Sequence, residues 1–255
     1  MQEKESVYGL TDTIGPQLLQ QGWASITPPA DLLSLGAEAL AAARSAFALP
    51  TERKREFVDP VHSGRTGWLA KVRAGRPNEI WQLNGSEDLP WPVELNASRE
   101  SMENLRLRCI EVAAAALTET ARAAGLPDDA LRRYISTEHS FVRLLHYWPQ
   151  SSFSPHADLG LATLFAGETT AALEMQNKSQ QWVPVSSGWI VAAGKMLTTL
   201  SEGKVKAGIH RVGATSQQRW AVVVFVDPDP DCQVQLDEFQ QPVTASAFFE
   251  RARSE

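Results

Sequence analysis

At 255 residues, 43% of them hydrophobic, the chain can bury one substantial core and fits a single domain with flanking elements. A formal charge of −6 excludes the basic field that nucleic-acid binding needs. The only cysteines are Cys109 and Cys232, which excludes a disulfide framework and a Cys-rich zinc site, so the expectation is a soluble, cytoplasmic protein. The opening MQEKESVYGL mixes both charge signs and does not read as a secretory signal. The apolar run WAVVVFV (220–226) is far too short to cross a bilayer, so no membrane association is expected.

Residues 31–48, rich in Ala and Leu and free of proline, predict a helix with Asp31 as N-cap and Pro50 as its stop. Thr51 then caps a second short helix in TERKREF. The stretch 98–124 is the clearest helix. Met102, Leu105, Cys109, Val112, Ala116 and Leu117 recur at three- and four-residue steps, and Gly125–Leu126–Pro127 ends it. That stripe faces a core rather than a cofactor. After about residue 138 the period becomes strand-like. HSFVRLLHYW, LGLATLF, AALEMQN, QWVPV, GWIVAAG, AGIHRVG and RWAVVVFV are short, rich in β-branched and aromatic residues, and punctuated by Gly, Asn, Ser and Pro. Such a series predicts an antiparallel sandwich or barrel. With no repeat or linker between the halves, 1–255 reads as one domain. Its parts are a helix-rich region (1–137), a β core (138–230) and a C-terminal tail (231–255).

Within FSPHADLGLATLF (153–165), His156 and Asp158 stand two apart, and strand alternation would put both side chains on one face. They read either as a polar pair facing water or as two ligands of one metal ion. Among the other histidines, His62 lies in a loop without a partner at ligand spacing, and His139 and His146 sit in the first β segment. A lone histidine is more often a hydrogen-bonded structural residue, and that reading is kept for these three. His210, just ahead of the last long strand, completes a set of two histidines and one carboxylate. That facial triad suits non-haem Fe(II), leaving room for a bidentate co-substrate and dioxygen. Zinc sites can use the same donors, and spacing alone does not separate the metals. Arg219 opens an otherwise buried strand. It either snorkels to solvent or meets an anion, and beside the three candidate ligands it reads as a fork for a carboxylate.

From Arg143 to Pro228, the segments RLLHYWP, HADLGLATLF, WVPV, GWIVAAGKML, SEGKVKAGIHRV and RWAVVVFVDP resemble the core of the isopenicillin N synthase-like Fe(II)/2-oxoglutarate-dependent dioxygenases. LTDTIGPQLLQQGWASI, FALPTERKREF and GRTGWLAKVRAGRPNEIWQLN resemble the family's N-terminal segments, so the likeness covers nearly the whole chain. It implies a mainly β fold, a distorted jelly roll (double-stranded β-helix) wrapped by N-terminal α-helices. It also implies Fe(II) on His156, Asp158 and His210, with Arg219 and Tyr147 on the distal carboxylate of 2-oxoglutarate and O2 as oxidant. The implied reaction is hydroxylation, or desaturation or cyclisation, of a small molecule of specialised metabolism such as antibiotic biosynthesis. Three positions depart from the family pattern. Ala221 replaces the Ser of Arg-x-Ser, Leu145 the Asn of Asn-x-Tyr, and Lys195 a common Asp; Tyr147 or Thr163 would supply the missing donor. Substrate contacts are expected from Arg143 and Leu145, which share a strand face with Tyr147. Trp68, Arg73, Arg76 and Trp81 would join them from the family's variable cover, and Phe248 from a C-terminal lid. The alternative within the family is an Fe(II) oxidase that does not use 2-oxoglutarate; a more distant one is a non-catalytic jelly-roll binder.

Overall fold

The computed structural model describes residues 8–58, 67–73, 76–84, 91–185, 189–236 and 241–254, without the side chains of 71–77, 235–236 and 253–254. His62 therefore lies outside the described residues.

The chain starts with α1 (Ile14–Gln21), β1 (Trp23–Ile26), α2 (Ala30–Ala48) and α3 (Thr51–Arg55). Pro29 and Pro50 occupy the caps assigned above to Asp31 and Thr51, which instead lie in the first turns. A cap needs no intrahelical N–H, so proline loses nothing there, and Asp31 still places its charge against the positive helix end. A hairpin, β2 (Gly67–Arg73) and β3 (Arg76–Asn84), leads to α4 (Asn96–Ala123). The stripe from Met102 to Leu117 is buried in α4 as its period requires.

The β core follows as β4 (Phe141–Tyr147), β5 (Phe153–His156), β6 (Ala162–Glu168), β7 (Leu173–Gln176), β8 (Trp182–Pro184) and β9 (Trp189–Ala193). Then come α5 (Lys195–Leu200), β10 (His210–Val212) and β11 (Arg219–Val226). The chain ends in a small hairpin, β12 (Gln233–Leu236) and β13 (Pro242–Thr244), and α6 (Ala245–Ser254).

Two antiparallel sheets face each other as a jelly roll. The larger runs β1-β9-β6-β11-β4-β3-β2 and the smaller β5-β10-β7-β8. Three strands of the larger sheet come from before residue 138, so the sheet crosses the boundary drawn from the sequence. Helices α2 and α4 cover its outer face. There Val142, Leu144, Leu164, Val191, Val222 and Val224 join the main core. Between the sheets lies a smaller core of Trp23, Leu173, Met175, Ile190 and Ala192, with Phe165 packed on it. Among the described residues no helix is long and apolar enough to cross a membrane.

The helix side also encloses an ionic cluster. Lys54 pairs with Glu79 and donates to Phe47 O at 3.1 Å, while Trp68 Nε1 donates to Glu79 Oε1 at 3.2 Å. His146 Nδ1 lies 3.0 Å from Glu79 Oε2, and its ring stacks on Trp220. Burial pushes the Glu79 carboxyl up, but hydrogen bonds from His146 and Lys54 outweigh it and hold the group below the usual range. His146 thus packs on the side of the sheet remote from the small sheet, as the structural residue it was read to be.

Candidate functional site

His156 ends β5, His210 begins β10, and the two are directly opposed in the ladder, with ring centroids 4.2 Å apart. Asp158 does not share a strand with His156. It lies in the loop after β5, so alternation along a strand does not bring them together. The loop is instead clamped by the β9–α5 turn, where Lys195 N donates to Asp158 O at 2.8 Å and Gly194 N to Leu161 O at 2.9 Å. Gly194 is required here, because a Cβ at that position would stand 2.0 Å from Gly160 O.

His156 Nε2 lies 3.8 Å from Asp158 Oδ1 and His210 Nε2 lies 3.8 Å from Asp158 Oδ2. The three ligand atoms are all within 4.8 Å of one another. His156 Nδ1 is 2.9 Å from Ser154 O and His210 Nδ1 is 3.1 Å from Gly208 O. A carbonyl can only accept, so each proton sits on Nδ1 and each Nε2 lone pair is left for a metal. Thr163 donates to Asp158 Oδ2 at 2.6 Å, which fixes the carboxylate as well. Two imidazoles with Nε2 turned toward one anchored carboxylate fit a divalent transition metal, and the set suits Fe(II).

Arg219 and Tyr147 are opposed where β11 and β4 pair, and the guanidinium lies 4.8 Å over the phenol ring. Burial raises the Tyr147 pKa, with Arg219 and Arg143 acting against it. Arg219 does not snorkel; it is 3% exposed. Its partner is Glu168 at the end of β6, whose Oε2 lies 2.6 Å from both Nε and Nη2. Sequence reasoning missed Glu168. The signal was the same one that singled out Arg219, a charge at the end of an apolar strand. Thr163 is committed to Asp158 and so is not the donor absent at Ala221.

Arg143 and Leu145 share the Tyr147 face. Arg143 Nε donates to Gln82 Oε1 at 2.5 Å, and its guanidinium lies 4.5 Å from the Phe225 ring centroid. Burial lowers its pKa while the Asp158 charge opposes the shift, which ties Arg143 electrostatically to the candidate ligands. Leu145 sits between Ile80 and Ala221 in the register.

Trp68 and Trp81 correct the expectation of a substrate cover. They are paired across the β2–β3 hairpin on the helix side, Trp68 with the ionic cluster and Trp81 against Phe57 and Trp91. Their neighbours Ile80 and Gln82 face Leu145 and Arg143 instead. Arg73 and Arg76 close the hairpin, and their side chains lie outside the described residues. Phe248, expected in a lid, packs beside Phe249 against the main core, on a helix seated on β12 and β13. His139 keeps its structural reading, with Nδ1 2.9 Å from Ser136 Oγ.

The family model described as the 2OG-Fe(II) oxygenase superfamily matches residues 134–228, the stretch that carries all three candidate ligands and Arg219. A 2-oxoglutarate-dependent dioxygenase of Gibberella zeae is 27% identical over 234 residues, covering 76% of this chain. The chain spans 61% of that relative's length. A Caulobacter crescentus protein assigned to the 2OG-Fe(II) oxygenase family superposes with a TM-score of 0.81 at 21% identity, over 94% of this chain and 92% of that one. A full-length Neurospora crassa protein in complex with alpha-KG gives a TM-score of 0.78 at 17% identity, over 95% and 89%. At these identities the two structures establish the fold.

Proposed function

We propose that the chain is a non-haem Fe(II)- and 2-oxoglutarate-dependent dioxygenase acting on a small molecule, a reading supported by the match of residues 134–228 to the 2OG-Fe(II) oxygenase superfamily. The observation that carries this reading is the convergence of His156, Asp158 and His210 with both Nδ1 protons engaged by backbone carbonyls. These three residues would hold Fe(II). Bound iron, with 2-oxoglutarate and O2, supplies the oxidising power for hydroxylation, or for desaturation or cyclisation.

The chain supplies placement. Thr163 holds the Asp158 carboxylate, so the ligand arrives oriented. Arg219, stacked on Tyr147, suits the distal carboxylate of the co-substrate. Leu145, Phe165 and Val223 add apolar side chains on the same face of the sheet, suited to keeping water from the reacting groups. Arg143, steadied by Gln82, is placed to pair with an anionic group on the substrate. A specialised-metabolism substrate and a reducing, cytoplasmic setting fit this reading, and the unpaired Cys109 and Cys232 accord with the latter.

One observation favours the rival Fe(II) oxidase that uses no 2-oxoglutarate: Arg219 already has a carboxylate partner, Glu168. The two readings part on succinate. Protein with Fe(II), O2, 2-oxoglutarate and a panel of small molecules should release succinate, and Arg219→Ala should nearly abolish that release while Fe(II) binding persists. Oxygen consumption without succinate, unaffected by Arg219→Ala, would establish the oxidase instead.

A further inference from the structure

Glu168 holds Arg219 by one edge only. Arg219 Nε donates to Glu168 Oε2 at 2.6 Å, and Nη2 lies 2.6 Å from the same oxygen. The remaining nitrogen, Nη1, is buried and has no hydrogen-bond partner. A charged, buried donor left unmatched is costly, and it marks the edge where a second acceptor belongs. Glu168 is itself held from a second side, because its Oε1 accepts from Ala172 N at 3.3 Å.

The backbone builds this arrangement. The β6–β11 register shifts between Val222 and Val223, and Gly167 takes φ 136, a conformation L side chains rarely adopt. The bulge leaves Glu168 opposite Ala221, where a methyl group gives the carboxylate space beside the guanidinium. A cavity of about 420 Å3 lies against the pair, lined by Glu168, Arg219, Ala221 and Phe165 and, from α2, by Leu33 and Leu40. The cavity therefore leaves room for a second anion beside the pair.

We propose that Glu168 is a resident counter-anion of the co-substrate clamp. It fixes Arg219 by the Nε/Nη2 edge, presents Nη1 to the distal carboxylate of 2-oxoglutarate, and sets how strongly that carboxylate is selected. This rests on the reading of the site as a 2-oxoglutarate pocket. A guanidinium shared between two carboxylates holds the incoming one less tightly than a free guanidinium, because the two anions repel and compete for one charge. Glu168 is in these terms a positioning residue that lowers affinity for the co-substrate. It also narrows the preference for a 2-oxo acid with a charged tail over one without.

Glu168→Gln tests this directly, since it keeps the shape and an acceptor but removes the charge. Binding is read by anaerobic calorimetric titration of Fe(II)-loaded protein with 2-oxoglutarate and, separately, with 2-oxopentanoate, which lacks the distal carboxylate. Glu168→Gln should bind 2-oxoglutarate about tenfold or more tightly, the scale of one charge-assisted contact. Its affinity for 2-oxopentanoate should stay at the wild-type value. Equal shifts for both ligands would overturn the proposal, because a disturbed pocket does not sense the tail. So would an unchanged 2-oxoglutarate affinity that Arg219→Ala still destroys; that result would leave the co-substrate reading standing. If 2-oxoglutarate binds neither the wild type nor the variant, the co-substrate reading falls and this proposal falls with it.

Discussion

Thr163 reaches Asp158 from β6, where it is 1% exposed, and its hydroxyl donates to Oδ2 at 2.6 Å. Asp158 lies in a loop, so no ladder partner sets its rotamer and this bond bears most of that task. Thr163→Val keeps the volume and β-branch while removing the donor. A hydrogen bond to an ionised carboxylate contributes about 1.5–3 kcal/mol. At ~1.4 kcal/mol per decade this corresponds to roughly a 10–100-fold loss in Fe(II) affinity. Losing an outer partner of a metal ligand typically costs that much. Asp158→Ala, which removes the candidate ligand itself, should cost more. Anaerobic Fe(II) titration against a competing chelator measures the affinity, and thermal melting in chelator separates metal binding from folding. Wild-type affinity in Thr163→Val would refute the role given to this hydroxyl. An equally large fall in the metal-free melting temperature would reassign the bond to folding.

If Arg143 pairs an anionic group on the substrate, Arg143→Ala should raise the KM for whichever substrate releases succinate, by about 2–5 kcal/mol of lost contact, and move that of 2-oxoglutarate much less. Equal effects on both KM values would place Arg143 at the co-substrate or in the fold. Lys54→Met leaves the buried Glu79 carboxylate without its ammonium partner and should destabilise by about 3–5 kcal/mol. For a chain of this size that lowers Tm by roughly 6–20 °C, since each kcal/mol shifts it about 2–4 °C. An unchanged Tm would show that His146 and Trp68 alone satisfy Glu79.

The strands after residue 138 are legible because their segments are short, apolar and bounded by turn residues, and a two-residue period survives without knowledge of the partner strand. The β2–β3 hairpin is harder, since its register decides which face each residue takes. Trp81 and Gln82 are adjacent in sequence, yet one enters the helix-side core and the other meets Arg143. His156 and Asp158 invite a joint reading from their spacing, but the loop and the glycine contact at Gly194 bring them together. The pairing of Glu168 with Arg219 was hidden for a plainer reason. The two lie 51 residues apart, and only a bulge in the β6–β11 register sets them side by side.

Why these groups point inward at all follows from the opposite face of the same strands. On β11, Arg219, Ala221 and Val223 look into the jelly roll, while Val222 and Val224 are buried against the helices. On β6, Thr163 and Phe165 look inward and Leu164 and Ala166 outward. A one-residue slip of β11 would exchange the two faces. Arg219 would then be driven into the apolar layer beneath α2, away from Glu168 and Tyr147, and an unpaired buried charge there would cost several kcal/mol. The slip would also withdraw Val222 and Val224 from the main core, each worth about 1.5–3 kcal/mol of burial. Both costs oppose the same error, so the register is held by residues that take no part in the chemistry. Arg219 is aimed inward by the core behind it.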